Sequence, residues 1–260
     1  MCPSIKIFQD AKRDSRPLAL VTAYDATLAH LAQEAGVDAL LVGDSLGMVI
    51  QGRENTLGVT LDEMVYHSRL VVYGAPDLFI IADMPFMSYQ AAVEDALRSA
   101  GRLLKDGQVR AVKLEGGREI IAQVKALVAN GIPVMGHVGL KPQSIHLYGG
   151  YSKRGKEPQE RKEIIEGAHA LEAAGCFAVV LESIPYDLAQ ELTGSLTIPT
   201  IGIGAGPSCD GQIQVFHDLF GLQPDFKPKH TKRYSPIGDM IITGLKDYVR
   251  DVHQREFKPG

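Results

Sequence analysis

The chain has 260 residues, 45% of them hydrophobic and 22% charged, which is enough to bury a full core and excludes disordered or collagen-like classes. With 27 Lys plus Arg against 31 Asp plus Glu, the formal net charge is -4, so no basic field exists to attract a phosphate backbone and no nucleic-acid partner is expected. No apolar run approaches the ~20 residues that span a bilayer, and the N-terminal segment carries Lys6, Asp10, Lys12, Arg13 and Asp14 in place of a secretion signal, so a cytoplasmic chain with no membrane partner is expected.

Short β-rich runs at 18–24, 39–43, 78–82, 111–114, 134–137, 177–181 and 200–204 read as buried parallel strands. Segments of helical period lie between them, at 28–35, 61–73, 91–105, 118–129 and 160–174. Gly36, Gly74, Gly131 and Gly175 follow such segments, where a left-handed C-cap favours a residue without Cβ. The stretch 214–219 is a weaker eighth strand. Alternation of this kind means a parallel sheet, and eight units in about 250 residues favour closure. The expected fold class is therefore α/β, a (β/α)8 TIM barrel, with residues 1–260 forming a single domain that carries a C-terminal extension from about 223. Two long loops, 46–60 and 141–158, are of a length usually reserved for function or motion. Cys2, Cys176 and Cys209 have no CxxC spacing and read as structural thiols of a reducing compartment.

A barrel of this kind places its active site at the strand C-termini. Asp44 ends ALLVGD, Asp83 ends LFIIAD, Glu115 ends AVKLE, His137 ends PVMGH and Glu182 ends FAVVLE. Singly, each acid also reads as a helix N-cap or first-turn acid. Together they would repel one another without a cation. Asp44, Asp83 and Glu115 thus read as an all-oxygen metal site, which suits Mg²⁺ better than Zn²⁺. Lys113 stands two residues before Glu115 in a strand, so it shares that face and reads as an anion binder. Glu182 has no basic sequence neighbour, and partial burial would tune it as a general base. His137 is a metal ligand, an acid or a hydrogen-bonding wall residue, with the wall role preferred. His67 reads as a satisfied helix histidine. The GIGAG at 202–206 has part of a dinucleotide fingerprint but lies on the seventh strand, so it reads as a tight turn. The basic clusters at 153–156 and 227–233 read as solvated charge. The first, near Tyr148, Gly149 and Gly150, could also belong to a lid.

The stretches LVGDSLGMVIQGRENTLGVTLDEMVYHSRLV, IADMPFMSY, VKLEGG, GIPVMGHVGLKPQS, LESIP and GIGAGPSCDGQIQVFHDLFGL occur in that order across 21–222, and they resemble the ketopantoate hydroxymethyltransferase family. The resemblance implies a (β/α)8 barrel and transfer of a hydroxymethyl group from 5,10-methylenetetrahydrofolate, as co-substrate, to 3-methyl-2-oxobutanoate, giving 2-dehydropantoate for pantothenate synthesis. It implies a Mg²⁺ cofactor held by Asp44, Asp83 and Glu115, substrate binding by Asp44, Ser45, Asp83 and Lys113, and Glu182 as the proton acceptor. It also implies small-molecule substrates and a homo-oligomer, often a decamer. Arg53 departs from the histidine of the family pattern, and LESIP departs from its ECVP while keeping the acid. The rival readings are another metal-dependent barrel lyase or mutase acting on 2-oxo acids, and a catalytically silent scaffold. The four intact acids argue against the second.

Overall fold

The computed structural model describes residues 3–225, 228 and 231–257. Cys2, and Lys227 and Lys229 of the second basic cluster, lie outside the described residues. Eight strands close in chain order into a barrel: β1 (Leu18–Thr22), β2 (Ala39–Val42), β3 (Phe79–Asp83), β4 (Ala111–Glu115), β5 (Val134–Gly139), β6 (Ala178–Glu182), β7 (Thr200–Ile203) and β8 (Gly211–Gln214). Neighbouring strands from β1 to β8 run parallel, and Leu18 N donates to Asp210 O at 2.9 Å where the ring closes. The expected α/β barrel is therefore present. Residues 1–213 form one compact unit and 214–260 a second.

The helices that return the chain between strands begin where their caps dictate. Asp25 accepts from Leu28 N at 2.8 Å to start Ala26–Glu34, and Thr60 with Glu63 forms a reciprocal capping box at the start of Leu61–Gly74. Val93–Lys105, Ile121–Ala129, Pro158–Ala173 and Tyr186–Ser195 complete the outer ring of the first unit. Among the described residues no helix is long and apolar enough to cross a membrane.

Two expectations from the sequence need correction. The eighth strand is Gly211–Gln214, not 214–219, because Phe216–Phe220 is a helix whose apolar residues Phe216, Leu219 and Phe220 follow helical spacing. The true strand was inconspicuous because β8 must squeeze in where the ring closes. A Cβ on Gly211 would come within 2.8 Å of both Leu18 and Ile201. Gly36, Gly131 and Gly175 do take positive φ, as a left-handed cap requires, but Gly74 does not. It is needed for a close approach instead, since a Cβ there would lie 2.2 Å from Ala26 O.

The bottom of the barrel is sealed by a helix that strand-helix alternation did not reveal, Lys6–Arg13. Phe8 is fully buried, with its ring edge-on to Phe177 at 5.0 Å and to Phe79 at 5.7 Å. Lys12 Nζ reaches Asp210 Oδ2 and Thr193 O, both at 2.9 Å, while Asp210 also accepts from Thr200 N at 2.8 Å. In the second unit, Gly221 in the left-handed conformation ends Phe216–Phe220, and the helix Ile237–His253 exposes Met240, Ile241, Leu245 and Tyr248.

The plug generates a stability prediction. Phe8→Ala removes a buried ring that no neighbour can replace, so it should cost about 3–5 kcal/mol of unfolding free energy. Urea unfolding followed by circular dichroism measures this as a lowered midpoint.

Candidate active site

Successive inward positions on a barrel strand are two residues apart, so each strand presents a column of side chains. Phe79, Ile81 and Asp83 form one column, Ala111, Lys113 and Glu115 the next, then Met135 and His137, then Ala178, Val180 and Glu182. The lower members of every column belong to the apolar core. The upper members are ionisable. The strands run in parallel register, with Asp83 beside Lys113 and Glu115 beside His137, so all the charge collects at one end. Asp44 joins from the turn after β2. Gly43 makes that possible, since a Cβ there would meet Ser45 Oγ at 2.7 Å and Asp83 Oδ2 at 3.6 Å.

Asp44, Asp83, Lys113, Glu115 and His137 are all buried, and Glu182 is largely so. Lys113 Nζ lies 2.9 Å from Asp83 Oδ1 and 3.1 Å from His137 Nδ1. Burial opposes the lysine charge, but Asp83, Glu115 and Asp44 outweigh it and hold its pKa above the ordinary value. Burial, followed by the repulsion of Asp83, pushes Asp44 up to about 7. Burial, with the charges of Asp44 and Asp83 adding to it, also drives Glu115 well above the carboxylate range.

Burial and then Lys113 depress His137, so the ring is neutral. An ammonium can only donate, so His137 Nδ1 offers its lone pair to Lys113 and the ring proton sits on Nε2. That nitrogen is 3.2 Å from Glu182 Oε2. A chain of contacts thus runs Asp83–Lys113–His137–Glu182 across the mouth. In that tautomer the ring has no free lone pair to act as a base.

None of Asp44, Asp83 and Glu115 is the N-cap of a helix, which disposes of that alternative. Ser45 stands at the mouth with its Oγ 2.8 Å from Tyr24 OH. His67 Nδ1 lies 2.6 Å from Tyr24 O, the satisfied histidine expected. Arg53 pairs with Glu63 at 3.2 Å. Gly204 and Gly206 take positive φ in a turn after β7, as the tight-turn reading of GIGAG requires. In the first basic cluster, Lys153 sits over the Tyr186 ring and Arg154 pairs with Glu160 and stacks on Tyr148. Cys176 and Cys209 are buried free thiols, and burial raises Cys176 to about 12.

Gln143 escaped sequence reasoning. It lies in the 141–158 loop, is buried, and its Nε2 donates to Asp44 Oδ2 at 2.8 Å and to Met84 O at 2.9 Å. Its backbone N donates to Glu115 Oε2 at 3.0 Å, and its Oε1 accepts from Gln90 Nε2 at 3.1 Å. Tyr89, fully buried, places its hydroxyl 2.8 Å from Glu115 O and 3.1 Å from Gln143 Oε1. An amide has no charge to flag it in a sequence. The only signal was the length of the loop.

A cavity of about 580 Å³ lies beside the mouth, lined by Gly116, Arg118, Gly139, Lys141, Tyr148 and Arg154 among others. The acids do not line it, so the site is located by the convergence of charge and not by the cavity. Among the described residues no three His, Cys, Asp or Glu side chains already stand in a metal-ligating arrangement. The donor set is nevertheless one of hard oxygens.

Solved structures confirm the barrel and no more than the fold at their level of identity. Phosphoenolpyruvate phosphomutase from Streptomyces platensis subsp. rosaceus superposes with a TM-score of 0.67 at 15% identity, covering 99% of this chain and 92% of that one. A putative phosphonomutase from Burkholderia cenocepacia J2315 gives 0.65 at 17% identity over 82% and 92%. Sequence relatives are far nearer. The 3-methyl-2-oxobutanoate hydroxymethyltransferase of Clostridium kluyveri is 49% identical over 254 residues, 98% of this chain and 91% of that one. That of Acetivibrio thermocellus is 50% identical over 250 residues, 96% and 88%. The family model described as ketopantoate hydroxymethyltransferase matches residues 3–259. The chain therefore belongs to the ketopantoate hydroxymethyltransferase family.

Proposed function

We propose that this chain transfers a hydroxymethyl group from 5,10-methylenetetrahydrofolate to 3-methyl-2-oxobutanoate, giving 2-dehydropantoate in pantothenate biosynthesis. The observation that carries the reading is the near-full-length identity to relatives bearing that activity in their names, together with the intact set of acids at the mouth. Asp44 and Asp83 would hold Mg²⁺ directly, and Glu115 would hold it directly or through water. When bound, the ion withdraws electron density from the keto oxygen and so acidifies the neighbouring C3–H.

The chain's own residues supply the rest. Glu182 takes the C3 proton, and the electron pair of that C–H bond moves toward the keto group. His137 Nε2 lies 3.2 Å from the carboxylate of Glu182 and walls it on one side. Lys113 and Ser45 fix the substrate carboxylate. For that, Lys113 must share its charge between Asp83 and the incoming anion, which three donor hydrogens allow. Water releases the one-carbon unit from the folate as formaldehyde, breaking both C–N bonds and leaving tetrahydrofolate. The C3 carbon adds to the formaldehyde carbon, and the resulting alkoxide takes up the proton held by Glu182 to give the hydroxymethyl group. The exposed apolar face of Ile237–His253 supports a homo-oligomer, and a cytoplasmic location with small-molecule substrates completes the reading.

Proton removal can be watched alone. With Mg²⁺ and no folate, the wild-type protein should exchange the C3 hydrogen of 3-methyl-2-oxobutanoate with D₂O, visible by proton NMR. Glu182→Gln should lose exchange and turnover together, by about 10²-fold or more. Exchange at the wild-type rate would remove Glu182 from the role of base. Product formation without folate would favour a lyase or mutase instead.

Lys113→Ala should raise the KM for the oxo acid more than that for the folate, because the oxo acid places its carboxylate against this ammonium. Steady-state kinetics with each substrate varied decides it. Equal effects would mean that Lys113 acts by neutralising Asp83.

A further inference from the structure

Each of the three acids has one oxygen engaged by a neutral N–H group, and Asp83 alone has its other oxygen beside an ammonium, that of Lys113 at 2.9 Å. Asp44 Oδ2 accepts from Gln143 Nε2 at 2.8 Å, Asp83 Oδ2 from Asp44 N at 3.1 Å, and Glu115 Oε2 from Gln143 N at 3.0 Å. Two of these caps come from Gln143. Its carboxamide cannot turn over, because the flipped oxygen would face both the Asp44 carboxylate and the Met84 carbonyl. The donor is neutral, so it occupies an oxygen without cancelling the negative charge that attracts a cation.

We infer that Gln143 is a specificity-determining positioning residue, which confines Asp44 and Glu115 to one oxygen each and so selects a small octahedral cation over Ca²⁺. This rests on the proposed metal site. Ca²⁺ accepts six to eight oxygens and often takes both oxygens of a carboxylate, whereas Mg²⁺ demands six at short range and keeps several as water. Ligation through both oxygens of Asp44 would pull Oδ2 off Gln143 Nε2 and leave a buried donor without its partner. Ligation through both oxygens of Asp83 would do the same to Asp44 N. Ligation through Asp44 Oδ1 and Glu115 Oε1 disturbs no cap, while ligation through Asp83 Oδ1 shares an oxygen that Lys113 Nζ already meets at 2.9 Å. The position of Gln143 in the 141–158 loop, tied down through Met84 O and Gln90 Nε2, makes the loop part of the metal selectivity.

The test is calorimetric titration of Mg²⁺ and, separately, Ca²⁺ into the full-length protein and into Gln143→Met, which keeps the side-chain length without the donor. Wild type should bind Mg²⁺ in preference to Ca²⁺. In the variant Mg²⁺ affinity should fall within the 10–100-fold range seen when a partner behind a ligand is removed, and the Mg²⁺ to Ca²⁺ ratio should narrow by about tenfold. A folded variant, judged by circular dichroism, with an unchanged ratio overturns the inference. Wild type alone provides a second reading if the variant does not fold. Difference infrared spectra on adding Mg²⁺ should show the splitting between antisymmetric and symmetric carboxylate stretches widen, as for single-oxygen ligation. A narrowing, as for two-oxygen ligation, overturns it. If neither cation binds wild type, the proposed metal site itself fails, which is a different result from binding without selectivity.

Discussion

A group of carboxylates held out of water beside a single ammonium is costly to build, and most of the architecture is arranged around that cost. Burial and the neighbouring charge of Asp83 both work against the charged form of Asp44, raising its pKa to about 7. Closing the strands into a barrel brings Asp83, Lys113, Glu115, His137 and Glu182 to one ring from four different strands. The same closure keeps them from water. The apolar columns beneath supply the stability that lets such a cluster persist, because burial of the lower layers must outweigh the repulsion above. The site and the core are therefore two ends of the same side-chain columns.

The polar groups around the acids are arranged with similar economy. A neutral His137 passes from Lys113 on one nitrogen to Glu182 on the other, so the charge on the lysine sets the tautomer that faces the base. Gln143 spends both amide hydrogens on Asp44 Oδ2 and Met84 O, and Tyr89 joins it to the backbone of Glu115. Loop and strands thus meet through buried hydrogen bonds, which are electrostatically stronger out of water than in it.

Much of this was legible before any coordinates. Asp83, Glu115 and Glu182 each terminate an apolar run, and that placement is a physical signature of a barrel mouth. Lys113 was legible through its two-residue offset from Glu115. What could not be read is what depends on distant partners. That Lys113 would pair with Asp83 required the register of β3 against β4. Gln143 makes its bond to Asp44 across 99 positions of sequence. Gly74 looked like a cap because its neighbour at Ala26 is invisible in a linear reading. The eighth strand was misplaced because closure selected glycine where a strand would otherwise advertise itself with branched residues.

The plug beneath the barrel bears on how the chain reaches this state. Phe8 packs on the rings of Phe79 in β3 and Phe177 just before β6, and Lys12 bonds to Asp210 across 198 positions. During synthesis the amphipathic helix Lys6–Arg13 emerges before every strand of the barrel, yet its binding surface is complete only after β6 has paired and the Asp210 turn has arrived. Until then Phe8 and Ala11 present an apolar face with nowhere to dock, in a chain whose decisive contacts are among the most non-local it makes. Native seating of that helix therefore requires the distant strands that carry its contacts to be in place.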